Sequence, residues 1–313
     1  MEYRALGRTD LRVSRLGMGT AALGMRYGIS TPDQDDESPE IPAGLSLVRE
    51  AVNKGIVFFD TAPAYGESER ILGAALSSEP SCVIATKVLL PEGASTMPSD
   101  SVESFLRRSL SESRSALGRS VLDVVQIHNA EPSIFRRKVV FDVLEDERSA
   151  GAIRFIGATT YGEEAALAAI ESNAIDVLQI ACSILDQRLC DRVLPAARKA
   201  RIGIIARSVL LKGVLTPRAN HLPKELDALR QAAARIREAF DVPWARLPRV
   251  AIRYCLGLQS VDVAIVGLRT TEELTEALAA VDEGPLSSEE MSKARTLRLE
   301  EERLLNPAHW NIP

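Results

Sequence analysis

Four residues in the first half of the chain could together move a proton: Asp60, Tyr65, Lys87 and His128. Asp60 ends the apolar run Val57–Asp60, where a strand would deliver a carboxylate to an open rim. Tyr65 follows on the next loop, within VFFDTAPAYGESERILGAAL. Ser68 then stands where an N-cap would, ahead of Ile71, Leu72, Ala75 and Leu76 at helical spacing. Lys87 and His128 close two further apolar runs, the second reading DVVQIH, and the chain has only three histidines. Tyrosine ionises near pH ~10, too high to release a proton readily at neutrality. A lysine ammonium within a few ångströms favours the phenolate, and a carboxylate paired with the lysine keeps that ammonium charged and in place. A histidine beside the reacting group orients it or shares the proton. The competing reading is an ordinary buried Asp60–Lys87 ion pair with Tyr65 packed against it.

The chain alternates strand and helix in a way that would gather these residues. Strands are predicted at Leu16–Gly19, Val57–Asp60, Cys82–Ala85, Val121–Ile127, Ile153–Gly157, Ile175–Ile180, Ile202–Ala206 and Val261–Val266. Helices are predicted between them at Gly44–Asn53, Glu69–Leu76, Val102–Leu117, Val139–Ser149, Glu163–Ser172, Val193–Ala200, Lys224–Phe240 with Trp244–Leu256, and Glu272–Val281. A terminal helix spans Ser287–Leu305, and a hairpin pairs Glu2–Leu6 with Leu11–Val13. Near-continuous apolar strands are buried on both faces, as in an all-parallel sheet. Eight such units fit a closed (β/α)8 TIM barrel in one domain spanning 1–313. An open doubly wound sheet is the alternative, but no G-x-G-x-x-G follows the first strand. In a barrel, chemistry gathers at the C-terminal strand ends, which is where Asp60, Lys87 and His128 fall.

Composition narrows the setting. The chain has 313 residues, 46% of them hydrophobic and 26% charged, enough to bury a full core. A net charge of −5 argues against a general nucleic-acid binder. Cys82, Cys182, Cys190 and Cys255 show no metal spacing and fit buried apolar positions in a reducing compartment. MEYRALGRTD lacks a signal-peptide pattern and no apolar run is long enough to span a bilayer, so a cytoplasmic protein without membrane partners is expected. The stretch Met25–Pro42, with the acidic run Asp33–Glu37, reads as a mobile loop: a solvated one, or a gate over the substrate.

FFDTAPAYGESERILGAAL, IATKV and DVVQIHN, in that order, resemble the catalytic segments of the aldo-keto reductase superfamily. The likeness continues through GAIRFIGATTY, LQIACSILDQR, SVLLKGVLT and VAIVGLRTTEELTEALAA, and includes the hairpin that closes the barrel bottom. It implies NADPH-dependent reduction of an aldehyde or ketone, or the reverse oxidation, without a metal. Tyr65 would protonate the carbonyl oxygen, Lys87 would lower its pKa, Asp60 would hold Lys87, and His128 would orient the carbonyl. Gly19, Thr20 and Asp60 would lie along the nicotinamide ribose, and Thr159, Thr160 and Gln179 would hydrogen-bond the carboxamide. Ser208, Leu210 and Lys212 would cover the pyrophosphate. Gly267, Leu268 and Arg269 would lie at the phosphate site, with Glu276 near adenine.

The chain departs from the family pattern in four respects, the first a pair of residues. The carboxamide pair is Thr159-Thr160 rather than Ser-Asn, and Arg207 stands where an aromatic often stacks on the nicotinamide. Arg207 would favour the neutral reduced ring over the positive oxidised one, biasing the enzyme toward carbonyl reduction. Glu273 and Ala277 replace a basic or amide residue and an asparagine. A carboxylate repels a 2′-phosphate, so Arg269 becomes the expected clamp for NADPH, with NADH as the alternative. Tyr27 and Trp310 are candidates to line the substrate pocket, on loops Met25–Pro42, Asn129–Arg136 and Asn306–Pro313. Three other functions use the same residues. One is a cofactor-binding, redox-sensing subunit, and another is a reductase of a sugar or other activated double bond. The third is a barrel isomerase or aldolase using Lys87 as a Schiff base, which the adjacent Asp60 disfavours.

Overall fold

The computed structural model describes residues 1–31, 39–310 and 312. The acidic run Asp33–Glu37, and with it the choice between a solvated loop and a gate, lies outside the described residues.

Two short strands open the chain: β1 (Tyr3–Ala5) and β2 (Arg12–Ser14), an antiparallel pair with Arg4 opposite Val13. Eight parallel strands follow: β3 (Leu16–Gly19), β4 (Phe58–Asp60), β5 (Val83–Val88), β6 (Leu122–Ile127), β7 (Ile153–Thr159), β8 (Val177–Ala181), β9 (Gly203–Arg207) and β10 (Val263–Gly267). They hydrogen-bond in sequence order, and β10 pairs with β3 from Ala264↔Leu16 to Gly267↔Gly19, which closes the barrel. The (β/α)8 architecture with its N-terminal hairpin is therefore as the apolar runs predicted.

Helices wrap the outside: α1 (Ala21–Gly24), α2 (Ile41–Asn53), α3 (Ser68–Ala75), α4 (Ser99–Leu117), α5 (Lys138–Ser149), α6 (Gly162–Glu171) and α7 (Val193–Ala200), then α8 (Asp227–Ala239), α9 (Leu247–Gly257), α10 (Thr271–Glu283), α11 (Ser288–Arg295) and α12 (Glu302–Leu305). The longest, α4, shows how: Val102, Leu106, Ser109, Leu110, Ser113 and Leu117 recur at helical spacing and are its buried face. The predicted terminal helix Ser287–Leu305 is two helices, broken at Thr296, the C-cap of α11. Leu299 there gives its backbone N–H to Leu185 O at 2.9 Å, so tertiary pairing replaces the next helical turn.

Two apolar layers result. One lies between strands and helices. The other fills the barrel, where Phe58, Val83, Val124, Val177, Ile205 and Val263 pack against Leu6, Leu11 and Val13 of the hairpin. Gly7, at φ +55, turns the hairpin against β9; a Cβ there would lie 2.1 Å from Gly203 N. Its N–H donates to Asp262 Oδ2 at 3.1 Å, and the same oxygen accepts from Ile204 N at 2.9 Å. One end of the barrel is thus plugged, and ligand access is left to the other.

Candidate active site

At the open end the strands turn polar without becoming wet. Asp60, Lys87, Gln126 and Gln179 are each at most 3% exposed. Lys87 Nζ donates to Asp60 Oδ2 at 2.7 Å and to the Thr61 carbonyl at 2.8 Å. The other carboxylate oxygen, Oδ1, accepts from Gln179 Nε2 at 2.6 Å and Gln126 Nε2 at 3.3 Å. Burial is the strongest influence on Lys87 and pulls its pKa down. The Asp60 carboxylate and the Tyr65 phenol beside it more than offset that, and hold the ammonium above the ordinary lysine value.

Tyr65 reaches this pair from a 3-10 turn, Pro63–Tyr65, that follows β4. The turn is seated by a close backbone approach: Gly66 has φ +58, and a Cβ on it would lie 2.2 Å from Gly24 O. Lys87 Nζ sits 4.7 Å from the Tyr65 ring centroid. His128, directly after β6, meets the same ring edge-on with centroids 5.9 Å apart. Burial, then the positive charges of Lys87 and Arg207, push the His128 pKa down to about 3, so its imidazole is neutral. Its Nδ1 is buried with no protein partner. Asp60, Tyr65, Lys87 and His128 therefore converge, as their strand-end positions required.

A cleft of about 760 Å³ runs from this cluster along the barrel mouth. Gly19, Asp60, Gln179, Arg207, Ser208, Leu210, Lys212, Gly267, Leu268, Arg269, Glu273 and Glu276 all line it. Thr160 lies just behind it, fully buried, with Oγ1 unpartnered. Two other candidates use their hydroxyls elsewhere. Thr20 Oγ1 donates to Asp60 O at 2.8 Å, and Thr159 Oγ1 accepts from Asn129 N at 2.8 Å. Arg207 donates to Thr160 O at 3.1 Å and lies 4.2 Å from the Tyr161 ring centroid, so the aromatic position predicted as lost is partnered by a neighbouring aromatic. Arg269 is drawn across the cleft and donates to the Tyr27 carbonyl.

Sequence reasoning missed several supports. Gln126 fixes Asp60, and its signal was an amide inside the apolar run DVVQIH. Ser68 is no helix cap: it is the first residue of α3, fully buried, and joins Thr20 Oγ1 at 2.5 Å and Thr61 Oγ1 at 2.8 Å. Thr86 Oγ1 donates to the buried Glu69 at 2.5 Å behind the site. Burial raises the Glu69 pKa, while the hydrogen bond from Thr86 and the Lys87 charge oppose it. Tyr27 lines the cleft, where burial and then the Tyr65 charge push its phenol up to about 12. Trp310 does not line it. Its ring is 5% exposed and its Nε1 donates to Arg303 O at 3.3 Å, leaving Pro307 and Ala308 at the mouth.

The chain is thus a closed parallel barrel with a buried acid–lysine pair beside one tyrosine and one histidine at its open rim. The aldo/keto reductase family model matches residues 15–298, and the chain belongs to that family. It is 29% identical over 304 residues to L-galactose dehydrogenase of Arabidopsis thaliana, covering 90% of this chain and 89% of that protein. It is also 29% identical over 310 residues to D-threo-aldose 1-dehydrogenase of a Pseudomonas species, covering 87% and 90%. The holo form of an aldo-keto reductase from Bacillus halodurans superposes with a TM-score of 0.78 at 22% identity, covering 95% of this chain and 96% of that one. Among the described residues no group of His, Cys, Asp or Glu could hold a metal ion, and no helix is long and apolar enough to cross a membrane.

Proposed function

We propose that the protein is a nicotinamide-dinucleotide oxidoreductase that interconverts an aldehyde or ketone and its alcohol, with Tyr65 as the proton donor. The observation that carries this reading is the convergence of Tyr65, Lys87, Asp60 and His128 at a cleft of about 760 Å³. Three features support the cofactor's fit. Thr160 Oγ1 is an orphaned buried hydroxyl, free to meet a carboxamide. Gln179 gives its amide N–H to Asp60 and keeps its carbonyl oxygen as an acceptor. Gly19 and Gly267 stand side by side at the cleft wall, leaving it without side chains there.

When bound, the nicotinamide supplies the hydride. The protein's own residues manage the proton and the orientation. Neutral His128 presents a nitrogen to the substrate oxygen and does not compete for charge with Lys87. Tyr65 O–H donates to that oxygen as negative charge develops on it. The Lys87 ammonium, held by Asp60 and the Thr61 carbonyl, stabilises the phenolate that remains. Gln126 and Gln179 fix the carboxylate that fixes the lysine.

The two sugar dehydrogenases among the relatives favour a second emphasis, oxidation at the aldehyde-level carbon of an aldose. Tyr65 as phenolate would then accept the proton it donates in reduction. Tyr65→Phe tests both directions. Turnover should fall about 10²–10⁴-fold, the range of general acid–base catalysis, with dinucleotide affinity little changed. Full turnover in that variant would remove the mechanism. Screening aldehydes, ketosugars and aldoses by dinucleotide absorbance identifies the substrate and the direction.

A further inference from the structure

The far end of the cleft, away from Tyr65, is lined by three carboxylates, Glu272, Glu273 and Glu276. A dinucleotide with its reactive ring at Tyr65 would lay its adenosine ribose here. Glu273 is the one of the three held by the backbone of the loop after β10. Its Oε2 accepts the Arg269 backbone N–H at 2.7 Å, and its Oε1 lies 3.5 Å from Arg218 Nη2. Its own N–H donates to Thr270 Oγ1 at 3.2 Å, in the first turn of α10. A helix N-terminus ordinarily welcomes a phosphate through outward N–H groups. Here the loop N–H facing that place already holds a carboxylate. The neighbouring cations are engaged as well. Arg269 donates to the Tyr27 carbonyl, and Arg218 donates to Ile29 O at 3.3 Å. Glu276 is gripped by both arms of Arg249, at 2.8 and 2.9 Å.

We propose that Glu273 makes this site select the dinucleotide with a free ribose 2′-hydroxyl, NADH or NAD+, over the 2′-phosphorylated form. The proposal rests on the nicotinamide-cofactor reading above. A carboxylate is acceptor-only, and vicinal ribose hydroxyls bring the donors it lacks. Dinucleotide-binding sheets of a different fold use an Asp or Glu on the 2′-hydroxyl for the same reason. A 2′-phosphate brings about −1.5 to −2 charges and only acceptors at neutral pH. To find donors it would have to displace Glu273 from the Arg269 N–H and from Arg218. The role expected for Arg269 as an NADPH clamp is thereby replaced: its side chain ties down the Tyr27 loop, and its backbone ties down the discriminating acid.

Direct binding tests this, by fluorescence titration of the full chain with NADH and with NADPH. The wild type should bind NADH at least about tenfold more tightly, a difference of ~1.4 kcal/mol. Adenosine 5′-monophosphate should likewise displace NADH at lower concentration than adenosine 2′,5′-bisphosphate. Glu273→Gln, and Glu273→Ala as a second variant, should narrow the preference by raising NADPH affinity several-fold. Thermal melts report whether each variant is folded. Equal or tighter NADPH binding by the wild type, or an unchanged ratio in both folded variants, would overturn the proposal and leave the cofactor reading intact. Binding of neither dinucleotide would overturn the cofactor reading and this proposal with it.

Discussion

The floor and the rim of the barrel are built from the same eight strands. At the floor, Phe58, Val83, Val124, Val177 and Val263 are at most 5% exposed and wholly apolar, and the hairpin residues Leu6, Leu11 and Val13 complete the packing. A few residues along the same strands, Asp60, Lys87, Gln126 and Gln179 are just as dry and wholly polar. Burial does not separate core from site. The pattern of hydrogen-bond satisfaction does. At the floor the buried polar groups are satisfied within the protein: Asp262 staples Gly7 to Ile204, Arg15 donates to the Val261 and Leu256 carbonyls, and Asp176 accepts from Arg8 and from Ile156 N. At the rim Asp60 and Lys87 are matched, and the buried atoms without a partner there include His128 Nδ1 and Thr31 Oγ1, on residues that line the cleft, and Thr160 Oγ1 behind it. A folded chain tolerates unpaired buried polar atoms at a cost of about 1–3 kcal/mol each, which a ligand can relieve.

The contrast can be broken most severely at the rim's ion pair. Lys87→Met strands the Asp60 carboxylate and should cost about 3–5 kcal/mol of stability in urea titration, along with turnover. Asp60→Asn combined with Lys87→Met should recover much of the stability and none of the turnover. If turnover returned too, the pair would be structural rather than catalytic.

The floor should show the reverse. Gly7→Ala places a Cβ against the backbone of Gly203 at φ +55 and should cost at least about 2 kcal/mol. Its kcat should match wild type at temperatures where it is folded. A specific loss of kcat in the folded variant would mean that floor and rim are coupled.

The last effect is a pH dependence, silent at neutrality. The folded-state pKa of His128 lies below its unfolded value, near 3 against about 6.5. The unfolded chain therefore binds the extra proton first. His128 contributes stability fully above pH ~6.5, and that contribution is lost as pH falls toward ~3. His128→Asn should flatten this part of the stability profile. An unchanged profile would mean that the imidazole is not buried as placed.

The eight apolar runs made the barrel legible because parallel strands buried on both faces leave nothing else for such runs to do. Asp60, Lys87 and His128 were legible because each is a charged or titratable residue ending such a run. Gln126 and Ser68 were less so. Gln126 looked like one polar lapse in a strand, and Ser68 like a cap, since local spacing cannot say which neighbouring strand a side chain will meet. Trp310 was one of two candidate pocket aromatics, and it is the packed one: it is buried and donates to the Arg303 carbonyl.

Sequence by itself determined the order of strands and helices, the four polar residues that meet at the barrel rim, and the family. These rest on residue type and near-neighbour spacing, which the chain carries with it. Tertiary structure alone decided which oxygen of Asp60 faces lysine and which faces the two glutamines. It decided that Arg207 lies over Tyr161. It also decided that Glu273 turns back onto the Arg269 N–H at the far end of the cleft. Such partners are brought together only when the barrel closes, and their energies depend on distances that no spacing along the chain encodes.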